Sequence, residues 1–305
     1  GISGAVGRNG RPELDRMLKD ATRRRERGAG GRPLLTFHLN GHVQFTTADE
    51  KIYHGMLVTP AMMASASHDR VLIVGGGDGL ALRDVLAWDP REVVLLELDP
   101  ELVRLFSEPR RDGVNRPFLE LNRSSFSDPR VRIVFGDAWL TVDLLVEKGE
   151  RFDVIVVDLP DPNHPDLNKL YSTAFYGKLR QVLTGDGAMV AQSTSPYHAK
   201  RTFLSIGKTV SAAGFRKVKQ YHANVPSFGE WGWTIAVPHG RPPEARITSF
   251  EGWAPANWAT KEMVLAAFVF GRGFYKMRDA VRVNWLRSGV MYQYHLQDWD
   301  EVKPR

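Results

Sequence analysis

Five carboxylates stand where an apolar run of this sequence gives way to a turn: Asp78 in "VLIVGGGDG", Glu97 in "VVLLELD", Asp137 in "VFGDAW", and Asp158 and Asp161 in "FDVIVVDLPDP". In an open sheet of alternating strands and helices, such positions line one crevice beyond the carboxyl ends of the strands. Each also has a plain structural use. Asp78 suits the N-cap of the next helix, and Asp137 and Asp161 suit Gly-Asp and Asp-Pro-Asn turns. Taken together, Asp78, Asp158 and Asp161 make a negative trough, the complement of primary ammonium groups. A pyrophosphate or a ligand carboxylate meets Asp78 as a like charge, so the trough selects cations.

The turn that carries Asp78 has glycines at Gly75, Gly77 and Gly79, which permit a tight bend and close backbone approach. Leu80 stands where a dinucleotide fingerprint has its last glycine, so the match to a phosphate-binding loop is imperfect. Glu97, eighteen positions beyond Gly79, is placed to accept from both hydroxyls of a ribose. Asp137 is placed to accept from an adenine amino group.

The elements that must hold these residues follow from hydrophobic period. Val/Ile/Leu runs ("RVLIVGG", "EVVLLELD", "VRIVFGD", "FDVIVVDLPD", "GAMVAQS") alternate with amphipathic stretches, the pattern of a mainly parallel sheet covered on both faces. The expected fold class is α/β, a doubly wound Rossmann-like sheet of methyltransferase type over residues 65–240. Before it, "LLTFHLNGHVQFTT" alternates on both sides of Asn40-Gly41, a hairpin signal. Residues 32–64 are therefore expected to form a small β-hairpin unit with "DEKIYHGMLVTPAMMASA" as a helix leading into the sheet. Residues 241–305, rich in aromatics and helical by spacing, are expected to pack on the catalytic domain as an extension.

Charge is distributed unevenly. Of a net +6, residues 1–31 and Arg32 carry most, with nine Lys/Arg against four acids. That basic flexible segment reads as a solvated tail or as a contact for an anionic membrane surface, and no nucleic-acid partner is expected. Cysteine is absent, which excludes disulfides and thiolate metal sites. No apolar run approaches the ~20 residues of a membrane span. The chain reads as cytoplasmic, with membrane association if it is part of a longer protein.

As a set, "NGHVQFTTADEKIYHG", "VLIVGGGDG", "LLELD", "VFGDA", "FDVIVVDLPDP", "LYSTAFYGKLRQVL", "MVAQS" and "NVPSFGEWGW" resemble the spermidine/spermine synthase family, the polyamine aminopropyltransferases. The late "LAAFVFGRGF" and "YQYHLQDW" resemble the C-terminal end of longer bacterial members. The resemblance implies transfer of an aminopropyl group from decarboxylated S-adenosylmethionine, a co-substrate, to a diamine or polyamine. Putrescine is the first acceptor to expect, giving spermidine and methylthioadenosine, with no metal and no prosthetic group. By resemblance Asp158 is the catalytic base, and Gln44, Gly75, Gly77, Asp78, Gly79, Glu97, Asp137 and Ala138 hold the donor. Tyr53, His54, Asp161, Gln192 and Phe228 line the acceptor site. A homodimer is implied.

Three positions depart from the shorter members. Tyr53-His54-Gly55 stands where those have Tyr-Gln-Glu, removing an amide and an acid, and Phe228 replaces a tyrosine that touches polyamine. Trp231 and Trp233 either wall the pocket or pack in the core. The alternatives in other classes are a methyltransferase using intact S-adenosylmethionine and a polyamine-binding protein without turnover.

Overall fold

The computed structural model describes residues 26–27, 33–39 and 42–302. Two-residue strands β1 (Glu26–Arg27) and β2 (Pro33–Leu34) pair antiparallel. Strands β3 (Thr36–Leu39) and β4 (His42–Thr46) form the anticipated hairpin, with Phe37 opposite Phe45 and a register shift after Phe37. Asn40-Gly41 and most of the basic segment lie outside the described residues.

Seven strands follow in one sheet: β5 (Arg70–Gly75), β6 (Glu92–Glu97), β7 (Val131–Phe135), β8 (Phe152–Asp158), β9 (Leu183–Gln192), β10 (Lys217–Val225) and β11 (Gly229–Val237). Their spatial order is β10-β11-β9-β8-β5-β6-β7. The five from β5 to β9 run parallel, while β10 and β11 form an antiparallel hairpin added at the β9 edge. The sequence showed the apolar strands but not that hairpin as a unit. Chain order reverses between β5 and β8, since β6 and β7 build outward on one side of β5 and β8 returns to the other. This is the switch point at which a doubly wound sheet opens its crevice.

The unbroken apolar runs are explained by burial on both faces. Along β5, Val71 and Ile73 join one core and Leu72 and Val74 the other, the two-residue period of a strand. One face is covered by the helices Glu50–Ala64, Leu80–Leu86 and Pro243–Thr248. The other is covered by Ala138–Glu147, Thr173–Val182 and Lys200–Ala212. A smaller aromatic core, Phe37, Phe45, Phe106 and Phe118, seats the β3–β4 hairpin beside the glycine turn through Leu80.

Beyond the sheet the helical content of the C-terminal extension is divided among Lys261–Ala266, a 3-10 turn Phe274–Met277 and the helix Val290–Val302. Gly273, in the left-handed region at φ +81°, interrupts the stretch. Asp298 accepts from Arg201 Nε at 2.5 Å, Thr202 N at 3.0 Å and Thr202 Oγ1 at 2.9 Å. Asn284 donates to the carbonyls of Asn168 and Tyr171, each at 3.0 Å. These bonds dock the extension on the helix Lys200–Ala212 and on the segment that follows β8.

Candidate active site

Strand register brings the first two chemical elements together. Gly75, the last residue of β5, pairs with Asp158, the last of β8. A Cβ at Gly75 would stand 2.2 Å from the Asp158 carbonyl oxygen, and one at Gly77 would stand 2.6 Å from Glu97 Oε2. Glycine at both is what lets the turn fold down onto its neighbours, and Gly75 also takes φ +84°.

On the β5–β6–β7 side each carboxylate is held by nearby backbone. Asp78 Oδ1 accepts from Leu80 N at 2.9 Å, a short-range turn bond, while its carbonyl accepts from Asn122 Nδ2 at 3.1 Å. Ser125 Oγ donates to Gly79 O at 3.0 Å, so the loop after helix Arg116–Leu121 buttresses the turn. Glu97 Oε1 accepts from Leu98 N at 2.8 Å and Asp99 N at 3.0 Å. Burial raises the pKa of both Asp78 and Glu97, with the His54 imidazole opposing the rise at Asp78. Asp137 caps the helix that begins at Ala138, accepting from Trp139 N at 2.9 Å, and pairs with Lys169 Nζ at 2.6 Å. Gln44 lies half-buried on β4, on the opposite side of that strand from Phe45.

On the β8–β9 side the partners are distant side chains. Tyr53 Oη donates to Asp158 Oδ1 at 2.7 Å. Asp158 is half-buried, and desolvation of its carboxylate pushes the pKa up to about 6, against the pull of His54 and the Tyr53 bond. Asp161 accepts from Gln192 Nε2 at 3.2 Å and Thr194 Oγ1 at 3.1 Å. Gln192 is itself fixed by bonds to Leu159 O and Tyr171 Oη, both at 2.8 Å, and through its Oε1 by Thr194 N at 2.9 Å. Thr194 holds φ +59°, an uncommon backbone state for a β-branched residue.

The three departures acquire structural reasons. His54 is turned inward, with Nδ1 2.8 Å from Glu50 O and 3.2 Å from Glu50 Oε2. Gly55 faces the C-terminal extension: a Cβ there would lie 3.4 Å from Ala259 Cβ and 3.9 Å from Trp258 Cβ. The space of the missing acid is taken by that segment. Phe228 sits in the β10–β11 turn, its ring 5.9 Å from Tyr53 and 5.0 Å from Trp231. Asp49 holds this turn by accepting from Ser227 N at 2.6 Å, and holds the end of β4 by accepting from Thr46 Oγ1 at 2.8 Å. Trp233 is fully buried and stacks on Tyr221 at 5.5 Å; it is core. Trp231 is only partly buried, against Phe228.

Thus Asp78, Glu97, Asp158, Asp161, Tyr53, His54 and Gln192 surround the switch point, and sequence reasoning passed over Glu50, Arg83, Tyr171 and Thr194. For Glu50 a signal existed, because Glu50 and His54 are four apart and share a helix face. Thr194 and Arg83 had none. Among the described residues there is no group of three or more His, Asp or Glu side chains arranged to hold a metal ion, and no helix is long and apolar enough to cross a membrane.

A model of the spermine/spermidine synthase domain matches residues 50–247. A polyamine aminopropyltransferase of Shewanella oneidensis is 48% identical over 283 residues, covering 92% of this chain and 49% of that protein. Polyamine aminopropyltransferase 1 of Streptomyces coelicolor is 38% identical over 272 residues, 88% of this chain and 48% of that protein. The chain therefore spans about half the length of the curated relatives it matches. A solved spermidine synthase in complex with the transition-state analogue AdoDATO superposes with a TM-score of 0.68 at 25% identity, covering 82% of this chain and 85% of that one. The Thermotoga maritima spermidine synthase, at TM-score 0.65 and 24% identity over 82% of this chain and 84% of that one, shares the fold.

Proposed function

The chain belongs to the spermine/spermidine synthase family, and from that premise we propose that it transfers an aminopropyl group from decarboxylated S-adenosylmethionine to a polyamine acceptor, putrescine first, giving spermidine and methylthioadenosine. The observation that carries this reading is Asp158. It is a desolvated carboxylate at the switch point, with one oxygen held by Tyr53 and a pKa near 6 that leaves it mostly ionised at neutral pH.

In the proposed reaction the acceptor nitrogen attacks the methylene beside the sulfonium. A C–N bond forms as the C–S bond breaks, and the bonding pair remains on sulfur. A free alkylamine has a pKa around 10.4 and arrives protonated, so its nitrogen needs a base. Asp158 takes one proton from the bound ammonium, which frees the lone pair that attacks, and the nitrogen keeps its other two hydrogens and its charge as the secondary ammonium of the product. The trough does the rest by alignment of nucleophile, carbon and leaving sulfur. Asp78 pairs with the donor's ammonium and Glu97 with its ribose, Asp137 and Ala138 border the adenine, and Gln44 closes the donor side. Asp161, oriented by Gln192 and Thr194, takes an acceptor nitrogen, with Tyr53 and Phe228 against its methylenes. This also supplies a reason for decarboxylation: Asp78 attracts the amine and repels the carboxylate that the parent compound retains.

Incubation with the decarboxylated donor and a panel of amines, with products identified by mass, tests the proposal. Aminopropylated amine plus methylthioadenosine is the expected result. Methylated product from intact S-adenosylmethionine, or amine binding without turnover, overturns it. We propose further that the chain forms a homodimer, for which the strand edges of the small β3–β4 sheet, unpaired among the described residues, are the motive. Light scattering that returns only the 34.3 kDa chain mass refutes the dimer.

A further inference from the structure

His54 is 2% exposed and Glu50, one helical turn before it, 6%. Two oxygens of Glu50, the carbonyl and Oε2, face His54 Nδ1. Both are acceptors, so Nδ1 carries a hydrogen. Nε2 has no protein hydrogen-bond partner among the described residues. Glu50 is held from its other side by Arg83, with Nη1 to Oε1 at 3.0 Å and Nη2 to Oε2 at 2.9 Å. Arg83 is fixed in turn by Asp84 at 2.8 Å and Leu121 O at 3.1 Å. A bidentate arginine pair of this kind is geometrically stiff.

We propose that Glu50 and Arg83 are a positioning pair that holds the His54 imidazole as a fixed cation close to Asp78 and Asp158, keeping these carboxylates ionised before substrate arrives while preventing the imidazole from closing on them. The proposal rests on the reading of Asp158 as the base.

Its physical need is plain. Carboxylates gathered in a desolvated cleft tend to bind protons, and a protonated Asp158 accepts nothing. A mobile cation would cure that by forming a salt bridge with Asp158, thereby occupying the place of the amine. An anchored one supplies the charge and leaves the carboxylate open. Consistent with this, Asp158 bonds Tyr53 rather than His54.

The groups facing His54 agree. Glu50 on its own helix, Asp78 on the glycine turn and Asp158 on β8 all favour the imidazolium and hold its pKa up to about 9 against burial. Burial alone would raise the Glu50 pKa, but the His54 hydrogen bond and then the Arg83 pair lower it to about 2. The neighbouring Tyr53 phenol stays neutral, its pKa raised by burial and by Asp158.

Two readouts test the pair. The first is a ¹⁵N imidazole titration of the free protein, with its nine histidines, in wild type, Glu50→Gln and His54→Gln. One imidazolium is expected to persist at pH 8, to vanish in His54→Gln, and to titrate below pH 6 in Glu50→Gln, where burial is no longer opposed by the Glu50 carboxylate. The second is the pH profile of kcat/KM. Its acidic limb should move about one pH unit upward in Glu50→Gln, roughly a fivefold loss at pH 6, with less than threefold change on the alkaline plateau. A neutral His54 at pH 7 in the free wild type overturns the proposal, as does a Glu50→Gln profile lowered equally at every pH. If Glu50→Gln fails to fold, His54→Gln must displace the limb in the same direction, and an unmoved limb refutes the idea. Absence of aminopropyl transfer in the wild type would instead sink the functional reading, and the titration would still decide the charge state.

Discussion

At the two ends of the cleft, carboxylates of the same kind are held in different ways. At the glycine-turn end, Asp78, Glu97 and Asp137 each accept from a backbone N–H within two residues of themselves. At the β8–β9 end, Asp158 is held by a tyrosine 105 residues earlier in the chain, and Asp161 by side chains 31 and 33 residues later. Geometry at the first end is set mainly by short turns, which Asn122, Ser125 and Lys169 then brace from farther along the chain. Geometry at the second exists only when the helix Glu50–Ala64, β8 and β9 are all docked. The difference teaches where each end is vulnerable: the turn end to changes in its own few residues, the β8–β9 end to changes far away in sequence.

The sharpest way to break this comparison is Asp158→Asn. It should lower kcat by about a hundredfold or more, the range for loss of a positioned general base, while binding of methylthioadenosine at the turn end is unchanged by calorimetry. Because the folded state prefers the protonated form of this acid, its stability contribution falls as pH rises through about 4 to 6. The amide should therefore raise Tm above pH 7 by roughly 2–4 °C, the effect of ~1 kcal/mol in a domain of this size. A folded variant with wild-type turnover removes Asp158 from the chemistry.

Asp78→Asn addresses the other end. It should weaken the decarboxylated donor about tenfold or more, as for a hydrogen bond to a charged group, and methylthioadenosine much less, since that product lacks the aminopropyl ammonium. Equal losses for both ligands would return Asp78 to a purely structural role at the turn.

Thr194→Ala probes dependence on distant support. It leaves every carboxylate in place yet should raise the amine KM about fivefold, in line with ~1 kcal/mol for a lost neutral partner, with kcat nearly kept. A KM within error of wild type would show that Thr194 is not needed to orient Asp161.

The smallest effect on chemistry is expected at Gly55, where the helix that carries Tyr53 meets the C-terminal extension. Gly55→Glu should overpack that contact by ~1–3 kcal/mol, read as a lower Tm, rather than add an acid to the cleft. A variant as stable as wild type and with altered amine preference would mean that the extension yields and the side chain reaches the site.

The parallel sheet and its edge toward the ligand were legible because burial on both faces demands unbroken Val/Ile/Leu runs, and the residue that ends such a run is the one at the crevice. Asp158 is an example, as the last residue of "FDVIVVD". The hairpin β10–β11 was not legible as a unit. Its strands combine aromatics, glycines and polar residues in "KVKQYHANV" and "GEWGWTIAV", and a pattern so mixed has no clean period. Gly55 was legible only as a missing acid, since nothing in "IYHGM" tells which segment will cover it.

By itself, then, the sequence determined the strands, the glycine turn and the carboxylates at the turn end, for in each the deciding interactions are local: apolar period, a chain reversal, a backbone N–H two residues away. Tertiary structure decided the rest. It joined Tyr53 to Asp158, set Gln192 and Thr194 against Asp161, and buried His54 between the Glu50–Arg83 pair and the cleft. Those contacts depend on the desolvated space enclosed when the helix Glu50–Ala64 docks on the sheet. Both the distances and the charge states of these side chains are properties of that enclosure and not of any short stretch of residues.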